Sequence, residues 1–236
     1  MRGRRPCAAA WGLCLVLAGS AGAGSLAVNP VRLTLATGQT AAALTVRNDG
    51  AAPALVQLET LDWSQQDGSE VLAPSRELLA TPPIFTVAPG ASQVVRVGLR
   101  SAAVPRAVER SFRLLLKEIP PPPQADARGL QMALHLSLPV FLQPVGTAKP
   151  ILQWEAARQG AQLRLSARNA GNTHVQISKV ALQGIDWPPK TAAAYLLAGQ
   201  RREWLIAREV PVGSELLLTA QTDAGDLSAR LVVAAP

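Results

Sequence analysis

The sequence predicts an all-β protein of two immunoglobulin-like β-sandwich domains, and three observations carry that prediction. Beyond residue 25 the chain runs in short alternating apolar and polar stretches separated by Gly, Pro, Asn and Asp, the pattern of strands joined by turns. The segment 143–150, Gln-Pro-Val-Gly-Thr-Ala-Lys-Pro, interrupts this pattern, and the stretches on either side are each near the ~100 residues of an immunoglobulin-like sandwich. Arg47-Asn48-Asp49-Gly50, then Val56-Gln57-Leu58 and Asp62-Trp63, is echoed by Arg168-Asn169-Ala170-Gly171, Val175-Gln176-Ile177 and Asp186-Trp187. In each copy the Asn/Gly pair supplies a tight turn between strands.

Residues 1–23 read as a secretory signal peptide. Arg2, Arg4 and Arg5 form a basic start, Cys7 to Ala18 a short apolar middle, and Ala21 and Ala23 the small residues before a cut after Ala23. A membrane anchor is disfavoured because the apolar run is short against a hydrocarbon core of roughly 30 Å. A lipoprotein site at Cys14 is disfavoured by Leu13, where a small residue belongs. Cys7 and Cys14, the two cysteines of the chain, both fall in this leader. The expected mature protein therefore has no disulfide, thiolate nucleophile or cysteine zinc site, and its stability rests on packing.

Strands are expected at 26–35, 41–47, 54–62, 93–99, 111–119 and 130–142 in a first domain, 24–143. A linker at 144–150 leads to a second domain, 151–236, with strands at 162–168, 174–182, 203–208, 215–221 and 227–233. The formal charge of +7 includes the three leader arginines; without them 20 basic groups face 16 acidic ones, scattered along the chain. That balance argues against nucleic acid as a partner. No later apolar stretch is long enough to suggest membrane insertion.

Chemistry-bearing motifs are absent. His135 and His174 stand 39 residues apart, and no nucleophile elbow, phosphate loop or metal-ligand spacing occurs. The sequence therefore predicts no enzyme, no metal and no cofactor. Trp63, Trp154, Trp187 and Trp204 could stack on sugars in a carbohydrate-binding protein, but in a chain with 4% aromatic residues they read better as core anchors of the two sandwiches.

The most informative stretch is 130–142. Leu130, Met132, Leu134, Leu136, Leu138, Val140 and Leu142 occupy every even position, so one face of the strand is an apolar comb. Pro139 argues for an edge strand, and an apolar edge strand is an aggregation hazard unless a partner covers it.

On these residues the chain resembles the periplasmic chaperones of the chaperone–usher pathway, which assemble pili. Asn29-Pro-Val-Arg32 comes first, followed by Ala80-Thr-Pro-Pro83, Pro89-Gly90-Ala91 and Val95-Arg96. Phe112-Arg-Leu-Leu-Leu-Lys-Glu-Ile-Pro120 and Leu138-Pro-Val-Phe141 follow in family order, and the Asn169 turn and Leu196-Leu-Ala-Gly199 continue the likeness. Pro-Val-Phe looks like the divergent, archaic branch.

The resemblance implies a boomerang of two domains in the periplasm that binds pilus subunits by lending its own strand to complete their fold, and delivers them to an outer-membrane usher. The implied donor teeth are Leu130, Met132 and Leu134, extended by Leu136 and Leu138. Arg32 matches the family's anchor for the subunit's terminal carboxylate. The family's second anchor, a lysine, is replaced by Pro139, which leaves Arg113 and Lys117, on one face of 111–119, as substitutes. Glu109 matches an acidic residue of the interdomain salt bridge, whose usual basic partner is replaced by Gln143. Self-association of the free chaperone through its comb is a further expectation. The alternatives are a two-domain pilin or adhesin, disfavoured because no donor extension precedes the first strand, and the carbohydrate-binding protein.

Overall fold

The computed structural model describes residues 26–66, 68–101, 106–121, 132–187 and 194–235. The signal peptide and Leu130 lie outside them. Seventeen strands and no helix occur among the described residues. None therefore contains a helix long and apolar enough to cross a membrane.

The first half contains β1 (Leu26–Asn29), β2 (Leu33–Leu35), β3 (Ala41–Asn48), β4 (Ala54–Gln66), β5 (Ser69–Pro74), β6 (Leu78–Thr81), β7 (Ile84–Val87), β8 (Ser92–Leu99), β9 (Arg110–Ile119) and β10 (His135–Leu142). A four-stranded sheet, β1-β3-β8-β6, packs on a six-stranded one ordered β2-β10-β9-β4-β5, with β7 beside the start of β4. Alternation fills the space between them. Val46, Val95 and Val97 from one sheet meet Val56, Phe112, Leu114, Leu116 and Val140 from the other.

The second half contains β11 (Leu152–Gln159), β12 (Gln162–Asn169), β13 (Val175–Leu182), β14 (Ala194–Leu196), β15 (Arg201–Ile206), β16 (Glu215–Thr222) and β17 (Gly225–Ala234). Their order is β14-β13-β16-β17-β11-β12-β15. Strand β17 holds both layers together, pairing antiparallel with β16 and then parallel with β11 at Ala156 and Ala157. Leu163, Leu165, Ile177, Leu218 and Trp204 are buried between the layers, with Trp154 and Trp187 packed against them. The protein is thus all-β, two sandwiches in sequence.

The expected strand 26–35 is in fact two. Pro30 has no N–H for a ladder, and the chain leaves β3 after Asn29 and rejoins the opposite sheet, where β2 runs parallel to β10. Strand β4 continues four residues past 62 and carries β7 on its first part and β5 on its last. β5, β6, β7 and β14 escape sequence reading because they are short and interrupted by prolines or turns. β11 escapes it because its central Ala156 and Ala157 give little hydrophobic contrast.

The repeated Asn-x-x-x unit has one structural meaning in both halves. Asn48 Nδ2 donates to the carbonyls of Ala52 and Val87 while its Oδ1 accepts the N–H of Gly50. Asn169 Nδ2 donates to Thr173 and Leu196, and its Oδ1 accepts the N–H of Gly171. A Cβ at Gly171 would lie 2.2 Å from the Lys149 carbonyl oxygen, so only glycine fits that turn.

Candidate functional site

The ladder of β10 sets the geometry. Its even residues face inward, so Leu138, Val140 and Leu142 are buried in the first core, with Leu136 packed against its margin. Leu138, expected as a donor tooth, is only 5% exposed and is a core residue of its own sandwich. That expectation is corrected, because the sheet's own core reaches as far along the comb as Leu138. Toward the start of the comb Leu134 is half-buried and Met132 is 64% exposed.

One edge of β10 is paired with β9 along its whole length, whereas β2 covers the other edge only from Val140 to Leu142. No strand among the described residues pairs with that second edge at 135–139. The Leu134 carbonyl accepts the N–H of Glu118 on β9. By antiparallel alternation, His135 and Ser137 then aim their backbone N–H and C=O groups at the uncovered edge. Pro139 has the same orientation, which explains why a proline is tolerated there.

The uncovered edge ends at a cationic row. Leu33 pairs with Val140, so Arg32, one residue earlier, comes level with Pro139, and Pro139 is the register partner of Arg113. Arg32 Nη1 donates to Asp223 Oδ2 at 2.8 Å and Nη2 to Gln176 Oε1 at 2.6 Å. Partial burial alone would lower the pKa of this guanidinium, but the hydrogen bond to Asp223 and the nearby Tyr195 and Asp223 outweigh it and raise it. The Arg113 guanidinium lies 3.6 Å from the Trp63 ring centroid and pairs with Glu70. Arg32 and Arg113 converge on Tyr195, at 5.8 and 5.5 Å from its ring centroid. Lys117 does not join them. Four residues, or about 13 Å, further along β9, its Nζ donates to both oxygens of Glu59 at 2.8 Å.

The outward residues of this sheet meet the second sandwich. Trp63, Phe141 and Leu197 form a separate buried cluster with Tyr195 against it. Trp63 is therefore an interface residue and no core anchor, a correction to the sequence expectation. Trp154, Trp187 and Trp204 do anchor the second core, the ring centroids of Trp154 and Trp187 lying 5.8 and 5.9 Å from that of Trp204. Gln65 adds a paired hydrogen bond, donating to the Tyr195 carbonyl and accepting the Leu197 N–H.

Glu109 crosses the same interface. Its carboxylate, 2% exposed, accepts from the Thr173 hydroxyl at 2.5 Å, the His174 backbone N–H at 3.0 Å and His174 Nδ1 at 2.8 Å. Because a carboxylate only accepts, Nδ1 carries the proton. The His174 ring stacks on Phe141, centroids 3.5 Å apart, and its Nε2 lies 3.9 Å from Asp223 Oδ2. His174 thus takes the part of the basic partner missing at Gln143, whose backbone N–H instead donates to Leu35. The sequence offers no site signal for Tyr195 or Asp223, marks Gln176 only through the repeat, and marks His174 only as one of two separated histidines. His135 and His174 do not converge, and no metal-ligating cluster occurs among the described residues.

Two sandwiches meeting at a cationic cleft, with a half-covered edge strand leading into it, define the class. The chain belongs to the pili and flagellar-assembly chaperone family, whose PapD N-terminal domain model matches residues 25–148. Among solved structures, a chain of the CsuC–CsuE chaperone–tip adhesion subunit complex from archaic Csu pili of Acinetobacter baumannii is similar, with TM-score 0.69, 19% identity and coverage of 89% of this chain and 99% of that one. The E. coli chaperone DraB gives 0.64 at 23% identity, covering 88% and 97%. The Salmonella enterica SafA pilin complex with the SafB chaperone gives 0.62 at 17%, covering 89% and 97%. No curated protein sequence matches significantly.

Proposed function

We propose that this chaperone captures pilus subunits in the periplasm by adding strand 132–139 to an incomplete subunit sandwich, and hands them to an outer-membrane usher. The observation that carries the reading is the direction of the uncovered edge. A subunit strand laid parallel to β10 runs toward Pro139 and ends at Arg32. Its terminal carboxylate then faces a planar, permanently charged fork. An antiparallel strand would carry that carboxylate to the other end of the edge, away from both arginines.

In this reading Met132, Leu134 and Leu136 enter the subunit, together with Leu130, while the backbone groups of His135 and Ser137 form the new ladder. Each tooth contributes about 1.5–3 kcal/mol of transfer free energy before binding costs. Arg113, level with Pro139 and stiffened against Trp63, supplies the second charge where the family has a lysine. Domain bounds at 24–143 and 151–236, with 144–150 as the connection, are part of the proposal. So is membership of the archaic branch, supported by the likeness to the Csu chaperone complex. No step requires catalysis.

The test is co-purification of the tagged mature protein with pilus subunits from periplasmic extract. Leu134→Glu, on a half-buried tooth, should abolish capture and leave the circular dichroism spectrum unchanged. Undiminished recovery of the subunit would overturn strand donation.

A further inference from the structure

The guanidinium at the end of the uncovered edge already has a carboxylate on it. Asp223 sits in the turn between β16 and β17, at the margin of the second sandwich. Its Oδ1 accepts the Gln176 N–H at 2.7 Å and its own N–H donates to the Gln176 carbonyl at 3.0 Å, so its backbone and one oxygen are fixed to β13. The remaining oxygen, Oδ2, takes Arg32 Nη1, and Gln176 Oε1 takes Nη2. One acceptor per terminal nitrogen is the arrangement that a bidentate carboxylate would itself use.

We propose that Asp223 occupies, in the free chaperone, the position that a subunit's terminal carboxylate takes in the complex, and so sets the affinity of capture. This rests on Arg32 being the carboxylate anchor. A strand arriving along β10 brings its carboxylate to Arg32 beside the carboxylate of Asp223. Two like charges on one guanidinium oppose each other, so Asp223 must yield at least part of its contact. One imidazole also faces Asp223. His174 Nε2 stands 3.9 Å from Oδ2, and the Nδ1 of that ring is tied to Glu109. Asp223 also gives Arg32 a defined rotamer, sparing the subunit the ordering of a long side chain.

The experiment uses the mature chain and two fluorescently labelled ten-residue peptides of alternating valine and threonine, one ending in a free carboxylate and the other in an amide. Fluorescence anisotropy reads binding. Asp223→Asn keeps an oxygen for the Gln176 N–H but removes the charge, and should tighten binding of the carboxylate peptide about tenfold with no change for the amide. Gln176→Glu, which adds a second carboxylate at the same guanidinium, should weaken the carboxylate peptide selectively. Equal or weaker binding by Asp223→Asn, while Arg32→Ala abolishes the preference for carboxylate, would overturn the competitor role and leave the anchor standing. If the unaltered chain shows no preference for carboxylate over amide, the anchor reading fails and the competitor role fails with it.

Discussion

At the scale of single residues, the same amino acid type does different work according to what its side chain reaches. Asn48 and Asn169 are buried and satisfy backbone groups that no ladder serves, two carbonyls and one N–H for Asn48, and two carbonyls and the N–H groups of Gly171 and Ile151 for Asn169. Replacing Asn169 by Ala leaves those buried groups unpaired and should cost about 2–4 kcal/mol, read as a lowered urea midpoint at unchanged slope. The three cations singled out in the sequence separate just as sharply. Arg32 and Arg113 share the cleft with Tyr195, whereas Lys117 is paired with Glu59 well down β9. Arg32→Ala and Arg113→Ala are each expected to reduce subunit recovery in a pull-down about tenfold or more, the scale of one charge-assisted pair, with Lys117→Ala near neutral. Arg113→Lys should not restore capture, because a lysine cannot lie flat on Trp63. Equal loss with Lys117→Ala would show that the second charge acts lower on β9.

At the scale of the element, the even comb is uniform in sequence but not in surroundings. The alternation at 130–142 shows that one face is apolar and cannot show where the strand's own core stops. That limit is set by the opposing sheet, whose last inward residues meet Leu138 and the margin of Leu136. Charge at the two ends should therefore act oppositely. Leu138→Glu buries an unpaired carboxylate and should unfold the first sandwich, visible as loss of the cooperative thermal transition. Met132→Glu, at an exposed position, should keep the transition within a degree or two and cost capture alone. Stability lost in both variants would mean that the whole comb belongs to the chaperone's core. The split of 26–35 into β1 and β2 has a related origin. Both pieces alternate correctly, but only the two sheets decide which edge each joins, and that choice leaves β10 uncovered above Val140.

At the scale of the whole molecule, the two sandwiches are joined by a compact interface of few residues. Trp63, Phe141, Leu197 and Tyr195 supply the apolar part, Gln65 fixes one side, and Glu109 with Thr173 and His174 fixes the other. His174→Ala removes both the stack on Phe141 and the partner of a buried carboxylate. It should widen the distribution of interdomain angles in small-angle X-ray scattering while each sandwich stays folded, and an unchanged scattering profile would assign the angle to the apolar cluster alone. From sequence, the fold class, both turns of the repeat and the apolar alternation of 130–142 were legible, because each depends on local alternation or on turn chemistry. Glu109 was legible as an interface group, but its partner was not. What tertiary structure alone decided is which distant residues meet: His174 against Glu109 and Asp223 on Arg32 across the cleft, and Arg113 on Trp63 and level with Pro139 within the first sandwich. The physical reason is that a strand's sequence encodes which face is buried through its own two-residue period. Contacts between strands distant in sequence arise from how the strands pair into sheets and how two finished sandwiches dock, and leave no periodic mark on either partner.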